Sequence, residues 1–78
     1  MARVLLFGPL AELASWRERE LDVPTVAAVL ATLEHELGDG FAALVPRCRI
    51  WVNGQPAKSD EVLRATDEVA LLPPVSGG

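Results

Sequence analysis

Apolar residues form short runs along the chain, and two of these runs, residues 3–7 and residues 68–72, are almost continuous. Each run is too short for a stable helix and stands beside glycine, proline or aspartate, so the pattern predicts two strands. Unbroken apolar strands are typical of central strands that are covered on both faces. We therefore expect these two strands to lie side by side and parallel in the middle of one sheet, with both faces covered.

The longest periodic stretch follows Pro24 and predicts an amphipathic helix. Thr25 is a suitable N-cap, and Gly38 is a natural C-terminal stop. Residues 9–14 and 41–44 predict shorter helical turns, the first with proline at its start. The helix has one apolar face with helical spacing, which consists of Val26, Val29, Leu30, Leu33 and Leu37.

The remaining segments predict a mixed sheet. Residues 16–23 carry many charges and suit an edge strand. Residues 47–52 alternate between polar and apolar types, and Asn53-Gly54 is a strong hairpin signal before a short return strand near Gln55. A mixed sheet packed on one main helix is an α+β architecture, and this element order predicts the β-grasp, ubiquitin-like fold. We assign residues 1–72 to that domain and residues 73–78 to a C-terminal tail.

Composition narrows the functional classes. The 78 residues suffice for one small domain, and the formal net charge of −4 disfavours nucleic acid as a partner. One cysteine allows no internal disulfide. The chain shows neither a charged segment followed by an apolar leader nor an 18-residue apolar run, so we expect a cytoplasmic protein without a membrane anchor.

Side chains with catalytic or metal-binding potential are few. Glu34, His35 and Glu36 are helix neighbours that point in different directions, so a solvated face is favoured over a metal site. Cys48 lies on the apolar phase of a strand, where cysteines are usually inert. No spacing suggests a zinc site or a phosphate loop, and we expect no metal and no tightly bound cofactor. Elimination leaves the carboxylate of Gly78 as the candidate reactive group.

The tail has a composition suited to insertion into a narrow channel. Pro73 and Pro74 restrict the backbone to extended conformations. Gly77 and Gly78 make the thinnest possible peptide, while Val75 and Ser76 would span the channel and Ser76 could hydrogen-bond its wall. A frayed terminus that happens to end in glycines is the alternative, since loose termini are common.

These segments together resemble the small, sulfur-carrier subunit of molybdopterin synthase, a β-grasp protein. The resemblance covers the whole chain in element order, and its most specific part is the ending Pro-Pro-Val-Ser-Gly-Gly. Thr66 departs from the glycine that many members have before the aspartate. The matching segments are RVLLF at residues 3–7, VNGQ at residues 52–55 and DEVALLPPVSGG at residues 67–78.

The resemblance implies a function in molybdenum cofactor biosynthesis. An ATP-dependent activating enzyme would adenylate Gly78, and sulfur would replace the adenylate to give a thiocarboxylate. The tail would then enter the large synthase subunit and donate sulfur to a cyclic pyranopterin precursor. The chain would not be an enzyme on its own. Near the start of the tail we expect a docking surface for these partners, made of Phe7, Leu72, Pro73 and Pro74.

Three alternatives remain open at this stage. A sulfur carrier for thiamine thiazole synthesis would share the fold and the Gly-Gly ending, although Pro-Pro-Val-Ser favours the molybdopterin branch. A ubiquitin-like protein modifier would use the activated carboxylate to form isopeptide bonds. A β-grasp binding module would use no chemistry at Gly78.

Overall fold

The computed structural model describes residues 1–73, and its elements follow the predicted order. The first, second and third helices are α1, α2 and α3, and a 3-10 turn at Val45–Arg47 follows α3. The elements are β1 (Ala2–Leu6), α1 (Pro9–Ala14), β2 (Glu18–Leu21), α2 (Val26–Leu37), α3 (Asp39–Leu44), β3 (Arg49–Val52), β4 (Gln55–Pro56) and β5 (Glu68–Leu72).

The five strands form one mixed sheet in the order β2-β1-β5-β3-β4. β1 and β5 are adjacent and parallel, with Val4 opposite Val69 and Leu6 opposite Leu71. β2 pairs antiparallel with β1, and β3 pairs antiparallel with β5. The predicted parallel central pair is therefore confirmed, and the α+β sheet has the β-grasp arrangement.

α2 begins and ends where the sequence predicts. The Thr25 side chain accepts a hydrogen bond from the amide of Ala28 at 3.1 Å, which satisfies one of the donors left free at a helix N-terminus. The Gly38 amide donates to the carbonyl of Glu34 at 2.9 Å and ends the helix. None of the helices in residues 1–73 is long and apolar enough to cross a bilayer.

The hydrophobic core lies between the sheet and the helices. Side chains from α1, α2 and α3 join side chains from one face of β1 and β5, so all three helices cover the same face. The largest fully buried side chains are Phe41, Leu6, Leu10, Leu33, Leu71, Val4, Val26, Val29 and Val69.

The second face of the central strands is not covered in the part of the chain that the structure describes, so the prediction of two covered faces was wrong. Side chains in a strand alternate between faces, and β1 shows this directly: Val4 is buried, Arg3 is exposed and Leu5 is half-buried. In β5, Ala70 and Leu72 are also half-buried on the second face. The apolar residues there made both strands look fully buried in the sequence.

β2 is an edge strand as predicted, but it is shorter than residues 16–23. Trp16 precedes the strand, and its ring lies 5.4 Å from the guanidinium carbon of Arg19. Both terminal nitrogens of Arg19 donate to the Glu36 carboxylate at 2.6 Å. This hydrogen bonding raises the pKa of Arg19 and lowers the pKa of Glu36, and it ties the edge strand to α2.

The hairpin between β3 and β4 is fastened to the start of β5 by Asn53. The backbone N–H of Asn53 donates to the backbone carbonyl of Glu68 at 2.8 Å. The side-chain oxygen of Asn53 accepts from the backbone N–H of Glu68 at 2.9 Å. Its side-chain nitrogen donates to Asp67 at 2.9 Å. We call this group (Asn53, Asp67 and Glu68) the Asn53 clamp.

Candidate functional site

The structure describes three of the predicted site residues, namely Phe7, Leu72 and Pro73. Five others lie outside the described residues: Pro74, Val75, Ser76, Gly77 and Gly78. The described part of the site therefore ends where the tail begins. Leu72 ends β5, and Pro73 follows it directly.

The parallel register of β1 and β5 brings the predicted docking residues together. Leu6 lies opposite Leu71, so Phe7 and Leu72 are the next residues along the two strands. One residue further, Gly8 meets Pro73: a Cβ built on Gly8 would lie 3.2 Å from Cγ of Pro73. We call Phe7, Gly8, Leu72 and Pro73 the tail root.

The tail root exposes apolar surface. Phe7 is 44% exposed, although large aromatic side chains are usually buried in cores or interfaces. Leu72 and Pro73 are half-buried. The sequence had indicated Phe7, Leu72 and Pro73, and the structure places them together. It had not indicated Gly8, because the contact with Pro73 depends on the strand register.

The exposed apolar surface continues from the tail root across the second face of the sheet. The pairing places Leu5 beside Ala70, Ala70 beside Trp51, and Trp51 beside Pro56. These four residues form one row over β1, β5, β3 and β4, which we call the open-face row. Leu5 and Trp51 are half-buried there.

Charged residues border the open-face row. Arg3 lies on the same face as Leu5, and its guanidinium is 3.2 Å from Glu18 and 3.5 Å from Glu68. Arg49 lies opposite Leu72 in the register and is exposed. An apolar centre with a charged rim is the usual composition of a protein-binding surface.

An open groove of about 730 Å³ lies next to the tail root. Phe7, Gly8 and Trp16 line it together with the polar side chains of Glu12 and Arg17. The groove therefore combines apolar and polar surface beside the tail root.

Cys48 is held in a structural position. Its thiol donates to the Leu44 carbonyl at 3.1 Å, and the side chain packs against the core. Burial raises the pKa of the Cys48 thiol, so the nucleophilic thiolate is disfavoured. The structure thus agrees with the interpretation of Cys48 as an inert residue.

His35 is exposed on α2, and its neighbour Glu36 is engaged by Arg19. Within residues 1–73, no group of three or more His, Cys, Asp and Glu side chains could hold a metal ion. Within the described residues, the candidate site thus consists of the tail root and the open-face row.

The fold and this surface define a small β-grasp domain of the ubiquitin-like class, whose last strand is central and runs into a Gly-Gly ending. The chain belongs to the ThiS family, because the model of that family matches residues 4–78. The resemblance to the β-grasp sulfur carriers is thereby confirmed. No curated protein matches the sequence.

Solved structures support the same class. The crystal structure of small archaeal modifier protein 1 from Haloferax volcanii is 35% identical, with a TM-score of 0.78, and the match covers 99% of this chain and 98% of that one. A putative molybdopterin converting factor, subunit 1, from Pyrococcus furiosus is 25% identical, with a TM-score of 0.81 and coverage of 95% and 97%.

A third structure shows a similar fold within a complex. It contains subunits 1 and 2 of molybdopterin-converting factor from Helicobacter pylori, and the matched chain is 24% identical with a TM-score of 0.73. The match covers 99% of this chain and 97% of that one. At this identity the likeness shows the fold alone.

Proposed function

We propose that this protein carries sulfur for molybdopterin synthesis, as a thiocarboxylate on Gly78. The observation that carries the proposal is the position of β5: a central strand, paired on both sides, continues directly into Pro-Pro-Val-Ser-Gly-Gly. Family membership supports the carrier class. We treat residues 73–78 as the working tail and residues 1–72 as the domain that partners hold.

The chemistry of a carboxylate explains why activation is needed. A carboxylate is a poor acceptor for nucleophiles, so its oxygen first attacks the α-phosphate of ATP, and pyrophosphate leaves. Hydrosulfide then attacks the acyl carbon, and AMP leaves, which gives the thiocarboxylate. The ATP is bound by the activating enzyme, and this chain needs no cofactor of its own.

Sulfur transfer then takes place in the large synthase subunit. The thiocarboxylate sulfur attacks a carbon of the cyclic pyranopterin precursor, and an oxygen substituent leaves that carbon, so a thioester to Gly78 forms. Water then hydrolyses the thioester, which returns the Gly78 carboxylate and leaves the sulfur on the precursor. Two transfers supply the two sulfurs of the dithiolene. The acid–base groups for these steps belong to the large subunit, so this chain is not an enzyme on its own. Both partners and the pathway are cytoplasmic in this proposal.

The large subunit is the partner that we assign to the tail root and the open-face row. Insertion of a tail of six residues requires the partner to lie close to the start of that tail, where Phe7, Leu72 and Pro73 form an apolar surface. The open-face row is continuous with this surface through Leu5 and Ala70. Because the docking residues lie on or next to regular strands, they are ordered before binding, and less entropy is lost when the partner binds.

Intact-protein mass spectrometry tests the proposed chemistry. The full chain is incubated with ATP, the activating enzyme and sulfide, and we expect the mass of one oxygen-to-sulfur exchange at Gly78. A chain extended by one residue after Gly78 is the matched control and should gain nothing. The proposal fails if the unextended chain also gains nothing while a known carrier is converted in the same assay.

Capture experiments separate the molybdopterin branch from the thiazole branch. The thiocarboxylated chain is offered to a molybdopterin synthase large subunit and to a thiazole synthase in equal amounts. We expect a stable complex with the large subunit and formation of molybdopterin from the precursor. Stable capture by thiazole synthase alone would assign the chain to thiamine synthesis.

Protein modification is the second candidate, because a match at 35% identity is a small archaeal modifier protein. The activated Gly78 carboxylate would then form an isopeptide bond with a lysine ε-amine. Lys58 is the only lysine of the chain and is exposed, so conjugates between two copies would map to one side chain. Isolation of lysine conjugates from cells, lost when Gly78 is deleted, would favour this function.

A further inference from the structure

The turn after β1 requires glycine at position 8. Gly8 has φ 58° and ψ −134°, and the Leu10 amide donates to the Phe7 carbonyl at 3.3 Å. These angles match the first central position of a type II′ turn, where a side chain is strongly disfavoured. Pro9 takes the second central position, where its fixed negative φ is compatible with the turn.

Gly8 also lies close to Pro73, the residue that begins the tail. The L-alanine Cβ that would replace a hydrogen of Gly8 lies 3.2 Å from Cγ and 3.9 Å from Cδ of Pro73. Ordinary carbon–carbon contacts are about 3.5–4.0 Å. A methyl group at position 8 would therefore push Pro73 away by a few tenths of an ångström.

We propose that Gly8 is a positioning residue for the tail: the missing side chain lets Pro73 pack close to the β1–α1 turn and so fixes the position of the residue from which the tail starts. This inference rests on the proposed function. Gly8 touches neither ATP nor the pterin precursor in this scheme and acts through Pro73 alone.

The seat of Pro73 matters because it is shared with the docking surface. Phe7 precedes Gly8 in the chain, and Leu72 precedes Pro73, so the Gly8–Pro73 contact lies directly beside the two exposed docking residues. For a partner bound to Phe7 and Leu72, the tail therefore starts at a defined position beside these two residues. Displacement of Pro73 moves the start of the tail relative to that partner.

Gly54 offers a matched control for backbone strain. Its φ is 81°, and a Cβ built there meets no atom within 4 Å. Alanine at position 54 therefore has the backbone strain of a positive φ but no steric contact. Position 54 lies in the hairpin near the start of β5, at the opposite end from Pro73. Comparison of G8A with G54A separates the contact with Pro73 from the general cost of alanine at positive φ.

The test is a kinetic double-mutant cycle on the full chain, with G8A, P73A, G8A/P73A and G54A. The P73A substitution removes both Cγ and Cδ, and Pro74 still restricts residue 73 to extended conformations. We expect G8A to lower kcat/KM for sulfur transfer from the thiocarboxylated chain to the precursor in the large subunit about tenfold, less than the ~10²-fold that a 1 Å misplacement can cause. The loss should appear chiefly as a higher KM for the carrier.

The cycle predicts different results for the remaining variants. G54A should keep the wild-type kcat/KM, even if its unfolding midpoint falls as much as that of G8A. In the P73A background, G8A should have little further effect, because the contacting atoms are gone. Equal kcat/KM values for G8A and G54A, or the same loss from G8A in both backgrounds, would overturn the proposal.

Two measurements keep the inference separate from folding and from the proposed function. A synthetic chain with D-alanine at position 8 accommodates the positive φ and places its methyl group at the other α-hydrogen of Gly8. It should keep the wild-type kcat/KM and replaces G8A as the test if G8A fails to fold. NMR shifts of Leu72 and Pro73 should change in G8A and not in G54A. Unchanged chemical shifts in G8A would refute the close packing of Pro73 beside Gly8. Absence of thiocarboxylate on the wild-type chain would instead refute the proposed function.

Discussion

The two ends of β5 differ in chemistry. At its start, Asn53, Asp67 and Glu68 are joined by polar hydrogen bonds between 2.8 and 2.9 Å, which fasten the hairpin to the strand. At its end, Phe7, Leu72 and Pro73 present apolar surface, and Pro73 lies where a side chain at position 8 would have to go. One end satisfies its own polar groups, while the other leaves apolar area exposed.

This difference shows how a domain of 78 residues can separate folding from binding. Hydrogen bonds between side chain and backbone fix the register of a strand without help from a partner. An exposed apolar surface gains little until a partner covers it. Substitutions at the first end should therefore change stability, and substitutions at the second end should change affinity for the partner.

The largest effect is expected where β5 faces the core. Leu71 is 1% exposed, and truncation of a buried leucine to alanine costs about 2–5 kcal/mol of unfolding free energy. Leu72→Ala, one residue on and facing the second side, should cost far less and should weaken large-subunit binding instead. Urea denaturation of both variants measures this, and similar losses for the two would contradict the assignment of faces.

Phe7→Ser should test the apolar end directly. Because Phe7 is 44% exposed, we expect an unchanged unfolding midpoint and an affinity for the large subunit lowered about tenfold, as for an aromatic residue within an interface. Val62→Ser is the matched control, since Val62 is 69% exposed and lies away from the tail root. Calorimetric titration gives the two affinities, and equal values for both variants would remove Phe7 from the docking surface.

Asn53→Ala should test the polar end. The substitution removes the two side-chain hydrogen bonds and puts alanine at φ 51°, so we expect a loss of about 1 kcal/mol of unfolding free energy or somewhat more. Asn53→Gly accepts the positive φ and isolates the loss of hydrogen bonds. Large-subunit affinity should stay unchanged in both variants. A wild-type stability for Asn53→Gly would show that the side-chain hydrogen bonds of the clamp contribute nothing.

The smallest effect is a dependence on pH at the same end. Hydrogen bonds from the Arg64 amide and then the Asn53 side chain lower the pKa of Asp67. The unfolded chain has the ordinary pKa of about 3.9. Since the folded pKa is the lower one, the contribution of Asp67 to stability is present above about pH 4 and is lost as the pH falls through the folded value. Denaturation of wild type and Asp67→Asn should show a stability difference that narrows below pH 4; a constant difference would contradict this.

The main elements could be predicted because their signals are local. Thr25 and Gly38 mark the limits of α2 by capping, and Asn53-Gly54 marks the hairpin by its preference for positive φ. The parallel pairing of β1 and β5 followed from their apolar composition. That same composition misled on coverage, because Leu5, Ala70 and Leu72 serve a surface and not the core.

The rest depends on contacts between distant residues. Asn53 meets Asp67 and Glu68, and Gly8 meets Pro73, only after the strands have paired in one register. No spacing in the sequence encodes either contact. The start of β2 was predicted two residues too early. Trp16 lies before the strand, where its ring packs against the guanidinium of Arg19.

The central place of β5 has a mechanical consequence. Interstrand hydrogen bonds run across the strands, and β5 is bonded to β1 on one side and to β3 on the other. A pull along the tail would load both rows of bonds in shear, so many bonds would have to break at once before the strand could slide. Under the proposed function, a partner that releases the tail slowly would pull on it without unfolding the domain, and the carrier could pass through repeated cycles of insertion and release.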